Sequence, residues 1–127
     1  MIVKQVSVFV ENTVGRLADL TKILTDNNID LKASTIAETV DFGILRCIVE
    51  NPEKTVKILV ENGFSASISE VTGVSLEDKP GGLHKVLAVL AEAGIAVNYI
   101  YSTIKSAEGK AIIMMKTSDA AKAEEVL

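Results

Sequence analysis

The 127 residues contain one cysteine, one histidine and two prolines. A single cysteine cannot form an internal disulfide. Cys47 lies in the apolar run Ile44-Leu45-Arg46-Cys47-Ile48-Val49, where it reads as a small buried hydrophobe and not as a nucleophile. The one histidine, His84, has no second histidine or nearby cysteine to complete a metal set, and any Ser-His triad would have to be built around it. No Gly-x-Ser-x-Gly elbow, no phosphate-binding Gly-x-x-x-x-Gly-Lys-Ser/Thr and no Cys-x-x-Cys occurs. No metal, cofactor or catalysis is expected. The formal charge of −4 and the pI near 5.0 argue against a nucleic-acid binder, which uses basic surface to displace counterions. Two tyrosines and three phenylalanines are few for a sheet that stacks RNA bases. No uncharged run approaches the ~18 residues of a membrane-spanning helix, and no basic segment precedes an apolar one at the N-terminus. The expected location is the cytoplasm, away from any membrane.

Against these gaps stands a repetition. Glu11-Asn12-Thr13-Val14-Gly15-Arg16-Leu17 returns 66 residues later as Glu77-Asp78-Lys79-Pro80-Gly81-Gly82-Leu83, and Asn27-Asn28-Ile29-Asp30-Leu31 returns as Ala93-Gly94-Ile95-Ala96-Val97. Leu24 falls on Leu90, and Gly43 on Gly109. Two copies make no solenoid, which needs about three or more repeats to bury a continuous core. They make two small units, residues 1–69 and 70–127, each near the size at which folding alone is marginal. Nearly half the residues are hydrophobic, enough for a real core.

In the first copy Val6, Val8 and Val10 alternate as in a half-buried strand, and Leu17, Leu20, Ile23 and Leu24 lay one stripe on a helix from Arg16 to Asn28. Two strands, Leu31 to Thr39 and Gly43 to Glu50, follow as a hairpin. Asn51-Pro52-Glu53 opens a second helix that Gly63 stops, and Phe64 to Ser69 is a fourth strand. The order is βαββαβ, an α+β ferredoxin-like unit with two helices on one face of an antiparallel sheet. Copy two repeats it from Glu70, with Gly73 expected as a kink between adjoining strands, Leu83, Val86, Leu87 and Leu90 as the helical stripe, and Val97 to Ile104 and Lys110 to Thr117 as the hairpin. Ser118-Asp119 starts its last helix. It has no fourth strand, which predicts an open sheet edge beside Ile112, Ile113, Met114 and Met115, and therefore a homodimer or higher assembly.

Each copy sets a polar strand end, a glycine and a helix start within a few residues. A helix N-terminus has about four amides without intrahelical partners and the positive end of a dipole. In copy two the donors come from Gly81, Gly82 and Leu83, and Asp78 adds a carboxylate, a set that suits the two charges of a free amino acid. The same residues also make a good turn and cap with no ligand. Both readings stand on residue chemistry alone.

The turn Asp78-Lys79-Pro80-Gly81-Gly82-Leu83 and the following Val86 to Val97, with the looser Asn12-to-Leu17 copy, resemble the ACT domain, a regulatory amino-acid-binding module of βαββαβ fold; Asn98-Tyr99-Ile100-Tyr101 further resembles small stand-alone proteins of two such units. The resemblance implies units paired side by side with ligand at their interface, held by the loop after the first strand and by the second strand. Carried over, the ligand-binding residues are Asn12, Val14, Gly15 and Leu17 in copy one and Asp78, Pro80, Gly81, Gly82, Leu83 and Asn98 in copy two. Copy one lacks the proline and the paired glycines, so copy two has the fuller set. Two functions follow: a non-catalytic amino-acid sensor, or a subunit that docks on an enzyme of amino-acid metabolism and binds no ligand itself.

Overall fold

The computed structural model describes residues 1–106 and 108–127. Its elements run β1 Ile2–Glu11, α1 Arg16–Asp26, β2 Ala33–Glu38, β3 Phe42–Ile48, α2 Pro52–Glu61, β4 Ser65–Glu77, α3 Gly82–Glu92, β5 Val97–Ser102, β6 Lys110–Thr117 and α4 Ala120–Val126. They form two compact units, Lys4–Ser69, and Glu70–Leu127 together with Met1–Val3.

The first unit has the strand order β2-β3-β1-β4, with β3 antiparallel to both neighbours. Period-2 alternation puts Val6, Val8 and Val10 on the covered face, where they meet Leu20 and Leu24 of α1, Leu59 of α2, and Leu45, Cys47, Val49 and Phe64. Asn51 caps α2 by accepting from the Lys54 amide at 3.1 Å, and Pro52 occupies the first helical turn, where its missing N–H costs nothing.

The second unit has the order β4-β6-β5, with Leu90 of α3, Ile95, Met115 and Ala123 of α4 in its core. Asp119 caps α4 through the Lys122 amide at 3.0 Å, as Asn51 caps α2. Among the described residues no strand follows α4. The place beside β4 is taken instead by Met1–Val3: the Met1 nitrogen donates to the Gly73 carbonyl at 3.0 Å and the Gly73 amide donates to the Met1 carbonyl at 2.7 Å. This reciprocal pair is the hydrogen-bonded type of an antiparallel ladder.

Two sequence expectations change accordingly. Gly73 is no kink, because β4 passes through it as one strand. It is glycine because a Cβ would lie 3.1 Å from Val3 Cγ2 and 3.4 Å from Met114 Sδ. Nor do Met114 and Met115 border an open edge. They sit on β6, between β4 and β5, and are buried, since the third strand of a βαββαβ unit is an inner one.

From the turn to the end of the first helix, the two copies agree in backbone detail. Gly15 and Gly81 immediately precede α1 and α3 with φ 86°, ψ −12° and φ 88°, ψ −10°, a left-handed conformation that costs a residue with a Cβ about 1–2 kcal/mol. Thr13 and Lys79 each donate back to the carbonyl two residues earlier at 2.9 Å. Both helices close alike, with the Ile29 amide on the Leu24 carbonyl at 2.8 Å and Ile95 on Leu90 at 2.9 Å, around Asn28 and Gly94 at φ 55° and 72°.

The offset changes inside the hairpin. Glu11 pairs with Phe42, whereas Glu77 pairs with Lys110, so the second hairpin is two residues longer and Lys110 takes the place of Phe42. Gly43 and Gly109, matched in sequence, are therefore not equivalent. Gly43 lies in β3 beneath Ile36, while Gly109 has φ 72° and its carbonyl accepts from the Asp78 amide at 3.1 Å.

Candidate functional site

The two turn-and-helix starts share a backbone but differ in what surrounds them. Neither α1 nor α3 receives a side-chain cap, unlike α2 and α4. The Arg16 and Gly82 amides turn back onto the Thr13 and Lys79 carbonyls, and the next two amides of each helix, those of Leu17 and Ala18 and of Leu83 and His84, receive no side-chain cap.

In the first unit two cavities flank the start of α1. One, of about 310 Å³, is lined by Val10, Glu11, Asn12, Thr13 and Leu17 together with Ile36 and Glu38 of β2 and Gly43 of β3. It gathers Asn12 and Leu17 from the expected ligand set with the second strand. Leu17 also walls an adjoining apolar hollow with Thr21, Leu31 and Ile36, so it lines the space and does not plug it. Val14 stands fully exposed at the turn tip, and Gly15 sets the turn without lining this cavity. Glu38, Ile36 and Gly43 were not singled out by the sequence, because only the hairpin register brings them here.

The other cavity, also about 310 Å³, lies on the β4 side, between Phe9, Glu11, Arg16, Phe42, Phe64 and Ser65. The Arg16 guanidinium sits 4.0 Å from the Phe64 ring centroid and 3.9 Å from Asp19. Phe9 meets Phe42 edge to face at 5.7 Å.

In the second unit Asp78, Lys79, Pro80 and Gly81 form an exposed turn, Gly82 is buried and Leu83 half-buried. A Cβ on Gly82 would overlap the Glu77 carbonyl. Gly82 lines a groove of about 250 Å³ with Ser75, Leu76, Glu77, Lys85, Val86 and Lys110. Asn98 is exposed at the irregularity in β5 between Val97 and Tyr99 and does not line this groove. The Glu77 carboxyl is held below its ordinary 4.5, first by the hydrogen bond from Lys79 and then by the charges of Lys85 and Lys110.

Elsewhere the chemistry is quiet. Burial pushes the Cys47 thiol up to about 12, which removes it as a nucleophile at neutral pH. His84 is exposed on α3. Among the described residues no cluster of His, Cys, Asp or Glu could hold a metal ion, and no helix is long and apolar enough to cross a membrane.

A βαββαβ unit followed by a βαββα unit, each with the same uncapped glycine turn, defines a tandem of one fold. The chain belongs to the ACT domain pair family, whose model matches residues 1–127. It is similar to the protein BT0572 of Bacteroides thetaiotaomicron, at 42% identity over 100% of this chain and 87% of that one, with a TM-score of 0.93. It shares its fold with the ligand-free regulatory subunit of aspartate kinase from Thermus thermophilus, at 15% identity over 97% of this chain and 89% of that one, TM-score 0.70. It also shares it with aspartokinase III of E. coli in complex with lysine and aspartate, at 18% identity over 97% and 29% of the two chains, TM-score 0.52. Curated proteins offer no match to this sequence.

Proposed function

We propose that this chain is a non-catalytic regulatory protein that binds a free amino acid against the turn and helix start of its ACT units. The observation that carries this reading is the pair of helices, α1 and α3, that open on the same left-handed glycine without a side-chain cap. Their amides suit a carboxylate. Asn12 in the first unit and Asp78 in the second, one residue beyond β1 and β4 respectively, suit an ammonium. The cavity of Asn12, Leu17 and β2 residues supports the same reading, because it is a concave space beside the turn with polar and apolar walls. A relative in fold whose structure holds lysine and aspartate makes an amino acid the natural class. The partner is a second copy of the chain, closing the site through an exposed strand, and downstream an enzyme of amino-acid metabolism.

A thermal-shift panel of the twenty amino acids, followed by calorimetry, tests the reading. At least one amino acid should raise the melting temperature at millimolar concentration. Asp78→Ala should weaken its binding by about ten- to a hundredfold, the loss expected for a hydrogen bond to a charged group, and Asn12→Ala by less. No shift with any amino acid would overturn the proposal and leave a docking subunit without ligand.

A further inference from the structure

The groove beside Phe9 at the start of α1 and the groove beside Ser75 at the start of α3 occupy equivalent places and differ in charge. In the first unit a cavity of about 310 Å³ is lined by aromatic rings and a matched charge: Phe9 and Phe42 pack edge to face, Arg16 covers Phe64, and Asp19 answers Arg16. In the second unit Ser75 stands for Phe9, Lys110 for Phe42, Gly82 for Arg16, Lys85 for Asp19 and Lys79 for Thr13. Three of the five changes bring in a lysine, and the one cation lost is Arg16. Three ammonium groups thus face one carboxylate, Glu77, in a chain whose net charge is −4.

Only one of the three is in direct ion-pair contact with Glu77. Lys79 Nζ holds Glu77 Oε2 at 2.5 Å. Lys110 is the cross-strand partner of Glu77 and Lys85 lies in the first turn of α3, both lining the groove, and among the described residues neither forms a direct ion pair. Lys85 and Lys110 thus bring two positive charges to one small concavity lined by a single carboxylate, an excess that an anion would offset. At about 250 Å³ the space is below the ~300–1,000 Å³ of drug-sized pockets, so it suits a ligand of a few carbon atoms. It shares Gly82 with the turn proposed to hold an amino acid.

We propose that the groove of the second unit receives the side-chain carboxylate of an acidic amino acid, with Lys85 and Lys110 as its specificity-determining residues. This rests on the amino-acid reading above and names the class of amino acid. The first unit, whose Arg16 lies over Phe64 and is answered by Asp19, has no such preference.

Calorimetry of the full chain with L-aspartate, L-glutamate, their amides L-asparagine and L-glutamine, and inorganic phosphate tests it. At least one acid should bind roughly tenfold or more tightly than its amide, since the amide removes the charge at nearly constant shape. In Lys85→Gln/Lys110→Gln that preference should fall below about twofold, and Lys85→Arg/Lys110→Arg should keep it. Equal binding of acid and amide overturns the groove assignment while leaving the amino-acid reading intact. Phosphate bound as tightly as the acid overturns it too, because the lysines would then form a general anion patch. Absence of binding by any amino acid removes the parent reading and this one with it.

Discussion

The carbonyl oxygen of Glu77 occupies the space that a Cβ on Gly82 would need. The equivalent residue of the first unit, Arg16, has a Cβ, and there the turn is looser: its amide reaches the Thr13 carbonyl at 3.3 Å, against 3.0 Å from Gly82 to Lys79. The second unit has therefore exchanged a side chain for a tighter turn.

Gly82→Ala should accordingly cost more than an ordinary surface change. The obstacle is backbone, so the turn itself must shift, and the loss is expected at or above the ~1–3 kcal/mol of an overpacked site. Urea denaturation of the variant beside Ala88→Gly, a half-buried position of the same helix where only the ~1 kcal/mol propensity loss applies, separates the two effects.

The charge cluster has a pH signature. Because Lys79, Lys85 and Lys110 lower the Glu77 carboxyl below its ordinary 4.5, the folded state binds this proton less readily than the unfolded state. The contribution is present above about pH 4.5 and is lost as pH falls through the lower folded value. Glu77→Gln should thus lower the melting temperature near neutrality, and the difference should shrink toward zero in acid. A gap that widens on acidification would contradict this sign.

Cys47 is expected to be silent toward thiol reagents. It is 1% exposed and its thiol is pushed up to about 12, so labelling by a chromogenic disulfide at pH 8 should follow unfolding and not the thiolate fraction of a free cysteine. Above about pH 9 the unfolded thiol ionises while the folded one does not, so this site should begin to favour unfolding there. Cys47→Ala should remove that alkaline component.

Gly73→Val should displace Val3, whose Cγ2 lies 3.1 Å from the position of the new Cβ. The expected loss is roughly 1–3 kcal/mol. Amide exchange reports it directly: the proton of residue 73, which donates to the Met1 carbonyl at 2.7 Å, should lose protection in the variant. Unchanged protection there would mean that Met1–Val3 is not held by this pair.

Where sequence reasoning worked, a local rule and the tertiary demand agreed. The alternation of Val6, Val8 and Val10, the stripe of Leu17, Leu20 and Leu24, the cap at Asn51 and the matched Gly15 and Gly81 each express short-range physics, and each fixed an element before the structure was available. What stayed hidden was set by pairing across distance. The two extra residues of the second hairpin cannot be seen by aligning Gly43 with Gly109, yet they put Lys110 opposite Glu77 and Phe42 opposite Glu11. Glu38 and Ile36 reach the Asn12 cavity only through strand register. The sequence does carry one pointer to the groove: Lys79 and Lys85 stand where the first copy has Thr13 and Asp19, a charge change between copies.

The strip Met1–Val3 alters what a sequence repeat means for dissection of the molecule. A gene fragment encoding residues 70–127 follows the repeat arithmetic, but it discards the segment that pairs with Gly73 and severs β4, which runs unbroken from Ser65 to Glu77. Protein engineering that treats the two copies as interchangeable cassettes would inherit that defect. A circular permutant that joins Leu127 to Met1 through a flexible tether and opens the chain in the exposed turn at Val14 would retain both the strip and the whole of β4.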